Sequence, residues 1–339
     1  MAELIVHRVG PGVTIQDTGR SGYLAQGLSR GGAADMLALA EGAALLDQNA
    51  CLAALEIAGS FLSVETTRPV RIALTGASMR AVCDGVELQW HASHSVPAGA
   101  LLELSASSGG YSYLHLGGGV DAALTLGARS AHLSAGLGQM LEAGNRLPIG
   151  SDEGRQVGMT LVPLARFDGG LLRLVETPQT RLFPEEVLKR FKKTTFQKDV
   201  RGNRMGQKLI CDGAGFEVES GLHILSETIV PGDIQITGDG APFVLLSECQ
   251  TTGGYPRIGT VLPCDLPRVV QARAGAALRF EFVTLDEAVT LERAEAKRRA
   301  ELSGAVRPLI RDPHDIPDLL TYQLVGGVTS GDDLEREMQ

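Results

Sequence analysis

Two segments of the chain gather groups able to hold a carbonyl oxygen, a carboxylate or a phosphate. The first, Gly10-Pro-Gly-Val-Thr-Ile-Gln-Asp-Thr-Gly-Arg-Ser-Gly22, sets Gln16, Asp17 and Arg20 among glycines, so backbone amides and a guanidinium can converge on one oxygen anion. A tight hairpin braced by an Asp17–Arg20 pair accounts for the same residues. The second, Glu248-Cys-Gln-Thr-Thr-Gly-Gly-Tyr-Pro256, places a carboxylate, the Gln250 amide and the Thr251 and Thr252 hydroxyls before Gly253, Gly254 and Tyr255. It follows directly on the apolar run Phe243 to Leu246, and dense polar groups at the end of a buried strand suit a site. A polar turn on a barrel rim would read the same way.

Other chemistries find less support. Gly27-Leu-Ser29-Arg-Gly31 matches G-x-S-x-G, but the preceding Gly19 to Gln26 is too polar and glycine-rich for the buried strand of a nucleophile elbow. No G-x-x-x-x-G-K-[ST] occurs, and Gly117-Gly-Gly119 does not lead into an amphipathic helix, so a P-loop is absent. His91-Ala-Ser-His94 is the one close histidine pair, placed on an expected loop with only Glu87 nearby, a poor ligand set. No metal site is expected. The other histidines, among them His115 and His132, stand alone and read as structural.

The elements that must position these groups are mostly strands. Apolar runs recur between Gly, Pro or Asp turns at Arg71 to Thr75, Tyr113 to Leu116, Leu171 to Val175, Leu222 to Leu225, Phe243 to Leu246 and Leu278 to Val283. Three helices are expected. One is capped by Asp35 and runs to about Leu46, with Asn49 beyond its end; one starts at Pro184-Glu185-Glu186; one, charged almost all round, runs from Asp286 to about Leu302. Strands and helices do not alternate, which disfavours a doubly wound sheet and favours a mainly β, α+β class of barrel type. Residues 150 to 165 read as a domain break, giving expected units over 1–155 and 165–285 with a helical and irregular tail over 286–339. An echo between Tyr113-Leu-His-Leu-Gly-Gly-Gly with Leu141-Glu-Ala-Gly144 and Val244-Leu-Leu with Gly253-Gly254 and Ala272-Arg-Ala-Gly275 suggests duplication.

Composition narrows the function classes. The 339 residues carry a formal charge of -9, which argues against broad nucleic-acid binding, and aromatics at 4% leave few stacking platforms. No apolar run approaches the length of a membrane span, and the N-terminal Met-Ala-Glu-Leu-Ile-Val-His-Arg lacks an export signal, so a cytoplasmic protein is expected. Five scattered cysteines without C-x-x-C spacing argue against a disulfide framework or a thiolate zinc site.

Taken in order, several motifs resemble the allophanate hydrolase subunit 2 family, also called the biotin-dependent carboxyltransferase family, which takes in the C-subunit of 5-oxoprolinase and urea amidolyase-related proteins. They are Gly10-Pro-Gly12 with Gln16-Asp17-x-Gly19-Arg20-x-Gly22, Leu55-Glu56, Thr75-Gly76-Ala77, Tyr113-Leu114 with Gly118-Gly119, and Asn203-Arg-Met-Gly206. Ser226-Glu227, Gly232-x-x-Gln235, Gln250 to Pro256, and Asp265-Leu266 with Gln271 complete the set, over about residues 3 to 290. The resemblance implies two cyclophilin-like β-barrel domains and a subunit 1 partner, with a third subunit in some members. It implies either ATP-dependent opening of 5-oxoproline or a similar lactam or amide, or carboxyl transfer from biotin on a carrier to urea or a similar amide. Against the family pattern, Gly31 stands for serine, Ala44 for asparagine and Tyr111 for arginine; Ala128, Ala131, Gln139 and Asn145 replace polar residues, and Glu248 replaces aspartate. Ala241 likewise replaces a polar residue.

The expected roles follow. Arg20 and Arg204 clamp an oxyanion or phosphate, Asp17 and Glu248 act as acid/base or orienting groups, and Gln16, Gln250, Thr251, Thr252, Gly253, Gly254 and Tyr255 bind substrate. The lost polar groups between residues 31 and 145 favour a third possibility, a non-catalytic subunit that binds and regulates its partner.

Overall fold

The computed structural model describes residues 2–105, 109–218 and 224–310. It is mainly β, with four α-helices among the described residues: α1 (Met36–Leu46), α2 (Glu185–Lys193), α3 (Leu266–Gln271) and α4 (Leu285–Ala300).

The first half is built from two antiparallel sheets. Six strands run in the order Arg146–Ile149, Ala2–Val9, Leu62–Thr66, Leu101–Ser105, Arg80–Cys83, Val86–Leu88; five run Val13–Gln16, Ala54–Ala58, Tyr111–Leu116, Val70–Gly76, Ser93–Val96. Their inner faces share one core that includes Leu4, Leu55, Ile57, Leu62, Ile72, Leu74, Leu102 and Leu114. Leu101–Ser105 alternates buried and exposed, as a strand with one wet face should, whereas every residue of Val70–Gly76 is buried. The difference comes from α1, which covers the second face of that strand, so that Ala73 packs with Leu37, Leu45 and Leu46.

The second half curls one seven-stranded sheet in the order Gln197–Lys198, Gly206–Ile210, Pro242–Leu245, Asp233–Ile236, Arg257–Val261, Gly170–Val175, Leu278–Phe282, the last pair parallel and the others antiparallel. Phe191 of α2 plugs it, against Phe196, Phe216 and Phe280. Each half thus curls its sheets around a core of its own. Of the run Leu222 to Leu225, residues 222 and 223 lie outside the described residues; the nearby strand is Glu227–Thr228, paired with Thr252–Gly253.

Two segments bind the halves together. The polar stretch after residue 150 crosses the first unit, held where Arg71 grips Asp152 through Nε and Nη2 and donates to the carbonyls of Leu46 and Gln156. Past residue 285 the chain is more than a tail. Helix α4 has a capping box formed by Thr284 and Glu287; Leu302 then packs with Met159 and Leu161, and Arg307–Pro308 pairs with Met159–Thr160. Residues 311–339 lie outside the described set. No described helix is long and apolar enough to cross a membrane.

Candidate functional site: a charged centre in the seam between the barrels

The Gln16 to Gly22 segment leaves the Val13–Gln16 strand and folds onto the loop 125–132. Asp17 is buried and uses Oδ1 on the amide of Gly19 and Oδ2 on that of Arg129. Arg20 is buried as well, yet its fork does not close on Asp17: Nε donates to the Thr125 carbonyl, Nη1 to Ser130 Oγ and Nη2 to the Ser130 carbonyl. Burial lowers its pKa, with Asp17 and Glu248 pulling the other way. The geometry is that of a brace on a loop: the alternative Asp17–Arg20 pair is not formed, and the donors expected to clamp an oxyanion are given to residues 125 and 130. Gln16 is fully buried; its amide nitrogen serves Thr14 Oγ1 and the Ala131 carbonyl, and its Oε1 has no partner among the described residues.

Arg204 sits in a different environment. It comes from the second half and its guanidinium reaches across the seam, donating to Glu248 Oε1 of its own unit and to Glu56 Oε1 and the Gly32 carbonyl of the other. Glu56 and Glu248 are 0% and 3% exposed, so one cation holds two carboxylates out of water. Burial works against the charge of Arg204, but Glu56 and Glu248 together more than offset it and raise its pKa. A short segment makes this approach possible. At Gly32 a Cβ would meet the Gly19 nitrogen at 2.7 Å, and at Gly31 it would meet the His132 ring at 2.9 Å; both residues have positive φ.

From Glu56 a polar network runs on through the first half. Glu56 Oε2 accepts from the Ala34 amide and from the Tyr113 hydroxyl, which itself accepts from the Asp35 amide. Burial, then Glu56 and Asp35, push the Tyr113 phenol far above its ordinary range, so it remains a donor. Asp35 Oδ1 caps α1 while its Oδ2 takes Arg166 Nε and Gln271 Nε2. Arg166, delivered by the linker, binds Glu41 of α1 with both terminal nitrogens. Gln271 of α3 pairs with both backbone groups of Tyr111, tying the second half to the first. A cavity of about 320 Å³ opens beside this network, lined by Tyr111, Leu246, Lys198 and Gln207 among others. Burial raises the pKa of the Tyr111 phenol, and Glu56, Arg204 and Glu248 all act on it.

On the other flank of Glu248 lies a chain of hydrogen bonds. The Ser134 amide donates to Glu248 Oε2 and its hydroxyl to the Glu248 carbonyl; Ser134 Oγ meets His132 Nδ1 at 3.2 Å, and His132 Nε2 meets Ser29 Oγ at 2.8 Å. Burial depresses the His132 pKa, which keeps the ring neutral near pH 7 with one donor and one acceptor nitrogen. Ser29 is preceded by a 3-10 turn, Leu24–Gln26, and not by a strand, so the elbow geometry is indeed missing. His91 and His94 do not form a loop pair: His94 lies on the Ser93–Val96 strand and bonds the Gln89 carbonyl.

The two segments singled out in the sequence therefore meet, through Gly31, whose amide donates to the Ser247 carbonyl, and through residues 132–134. Residues 250–255 form the outer rim. Gln250 and Thr252 are exposed, Tyr255 is 45% exposed, and Gly253 passes so close to Gln235 that a Cβ would stand 2.4 Å from its Nε2, an amide without a partner among the described residues. Thr251 sits at the edge of the Gly27 turn. What the reading of individual residues missed is the partner set of Arg204, above all Glu56, Tyr113, Asp35 and Arg166. Glu56, Tyr113 and Gln271 stood in the family-like motifs without a role attached.

A pair of β-barrel units joined by a buried ion-paired seam defines the class, and the sequence comparison agrees with it. The Carboxyltransferase domain family, subdomain A and B, matches residues 26–282, and the chain belongs to it. Among curated relatives, the C-subunit of 5-oxoprolinase from Escherichia coli (strain K12) is 33% identical over 293 residues, covering 84% of this chain and 93% of that protein. The crystal structure of TTHA0988 superposes with a TM-score of 0.75 at 28% identity, over 83% of this chain and 55% of that one, so the chain spans about half of its length. The urea carboxylase of Kluyveromyces lactis shares the fold, with a TM-score of 0.78 at 20% identity over 92% of this chain and 31% of that one.

Proposed function

We propose that this chain is one subunit of a multi-chain, ATP-dependent amidohydrolase of the cytoplasm that opens 5-oxoproline, or a lactam like it, to the amino acid. It would act with a subunit 1 partner and a third subunit. The observation that carries the reading is the match, at 33% identity, over 93% of a 5-oxoprolinase C-subunit. A lactam resists water, and ATP would supply the driving force: its terminal phosphoryl group would pass to the amide oxygen, a water would add to that carbon, the C–N bond would break with the nitrogen leaving as the amine, and a second water would release phosphate from the acyl phosphate left behind. The balance is one lactam, one ATP and two waters giving one amino acid, ADP and phosphate.

In this reading the seam supplies a fixed electrostatic frame. Glu248, anchored by Arg204 and by Ser134, offers a carboxylate at the place where a proton must move. Arg204 is a positioning residue, since its bonds go to Glu56, Glu248 and Gly32. Gln250, Thr251 and Thr252 at the rim orient the amide. ATP is bound in the assembled complex; the chain lacks a P-loop sequence.

The test is to isolate the chain with its native partners and measure ATP turnover with and without 5-oxoproline. Turnover that depends on the lactam supports the proposal, and its absence in an intact complex removes it. A second reading, carboxyl transfer from biotin to urea or a similar amide, is favoured by the family match and by the fold shared with urea carboxylase. It requires a biotinylated carrier in the same complex, which streptavidin blotting detects. Association without either activity would leave the regulatory role.

A further inference from the structure

A second cavity, of about 310 Å³, lies in the seam on the side of Leu246 away from Tyr111, between the Arg30–Met36 segment, the second barrel and α4. Its walls are largely apolar, with Pro231, Leu246 and Pro263 among them, yet it is also lined by two guanidiniums, Arg30 and Arg299. Such a lining, a compact apolar body with few polar groups, is that of a small-molecule pocket.

Arg30 stands without an acidic partner among the described residues, and Arg299 meets one, Glu295, through Nε alone at 2.9 Å. Arg166, Arg173 and Arg204 each bind carboxylates directly. The Arg30 guanidinium has no hydrogen-bond or ion-pair partner among the described residues, although it lines a cavity and feels the like charge of Arg299. Partial covering of this rim side chain, then Arg299, lowers its pKa, a direction that an anion beside it would oppose. Arg299 uses Nε on Glu295, leaving its terminal nitrogens without bonds among the described residues. Glu292, the acid of the same cavity, already accepts from the Cys264 amide. One neutral group completes the set: Ser247 is among the lining residues, and its Oγ has no partner among the described residues. An unpaired cation, a second whose terminal nitrogens are unused, and an unused hydroxyl over an apolar wall ask for a carboxylate carried on a compact ring or short chain.

We propose that the Arg30–Arg299 cavity is a binding site for a small carboxylate. The arginines would hold the carboxyl group, Ser247 would bond the same or an adjacent oxygen, and the prolines and Leu246 would pack the carbon skeleton. The cavity adjoins the Arg204 centre, because Gly31 and Ala34 line it while Ala34 donates to Glu56 and Gly32 accepts from Arg204. Resting on the lactam reading, the site would therefore take the carboxylate that 5-oxoproline and its ring-opened product have in common, and so select the acid over the plain ring.

The cavity is formed wholly by this chain, so calorimetry on the isolated full-length protein tests it, with 5-oxoproline as probe and 2-pyrrolidinone, the same ring without the carboxylate, as comparator. Saturable binding of the acid alone is expected, weakened roughly tenfold or more in both Arg30→Ala and Arg299→Ala. Lysine at position 30 should recover part of the loss. Thermal melts show whether each variant folds, and Arg30, exposed at the cavity rim, is replaceable without opening the core. No saturable binding of the acid, equal binding of the two rings, or full affinity in both folded variants overturns the proposal. Failure here with lactam-dependent turnover intact in the complex would remove the pocket and keep the function; binding without turnover would do the reverse.

Discussion

Two arginines have opposite lives in this protein. Arg20 is buried within one barrel and gives its fork to two carbonyls and a hydroxyl of a single loop. Arg204 leaves its own barrel and joins carboxylates from both. The first arrangement shapes a chain segment; the second creates a place where charge is held out of water between two units. A guanidinium satisfied by neutral acceptors can be lost at the cost of local order, while one satisfied by buried carboxylates cannot be removed without leaving anions in the interior.

The largest effect should therefore come from Arg204→Met. It strands Glu56 and Glu248, and a loss of about 3–5 kcal/mol in urea unfolding is expected. A loss under about 1 kcal/mol would show that water reaches the seam, and would erase the contrast with Arg20.

A buried group without any charged partner sharpens the comparison next. His115, 3% exposed, bonds Thr75 Oγ1 under α1, and burial holds its pKa down at about 3. The unfolded chain takes up this proton near pH 6.5, so the contribution of neutral His115 is fully present above that pH and is lost as pH falls towards the native value. Between pH 7 and 5 the loss is about 2 kcal/mol, and His115→Leu should flatten the pH dependence by that amount. An unchanged slope would mean that the imidazole is protonated in place.

Smaller again is Arg20→Lys. An ammonium replaces one of the three bonds well and the rest poorly, so about 1–2 kcal/mol of stability should go, read as a lower melting temperature. At the bottom of the scale, Lys189→Ala removes an exposed i,i+4 pair with Glu185 on α2 and should change stability by no more than about 0.5 kcal/mol.

How much of this was legible beforehand follows the range of the interactions. Asp35 as the cap of α1 is a local signal and reads directly from the sequence; the helix runs to Leu46, as expected, and is stopped by Asp47 in the left-handed region. The strands Tyr111–Leu116 and Leu278–Phe282 follow from their apolar runs. Arg20 reads as an anion clamp or, three positions from Asp17, as its partner, and the fold instead turned it towards residues 125 and 130, more than a hundred positions away. Glu56 reads as one polar residue in the apolar strand Ala54–Ala58, a buried acid that asks for a cation, but nothing in its neighbourhood says that the cation is residue 204. The polar linker was legible as a boundary and not as the carrier of Arg166, since the buried Glu41 it serves sits inside a helix 125 residues earlier.

The claim at the centre is that the working charge of this protein lies in the seam and not in the Arg20 loop. The direct measurement is lactam-dependent ATP turnover of the native complex carrying either Glu248→Gln or Arg20→Lys, each checked for assembly. The account predicts a fall of roughly a hundredfold or more for Glu248→Gln, in line with loss of a positioned acid or base, and a rate within about threefold of normal for Arg20→Lys. A near-normal rate in Glu248→Gln together with a hundredfold loss in Arg20→Lys would contradict it and move the site into the first barrel.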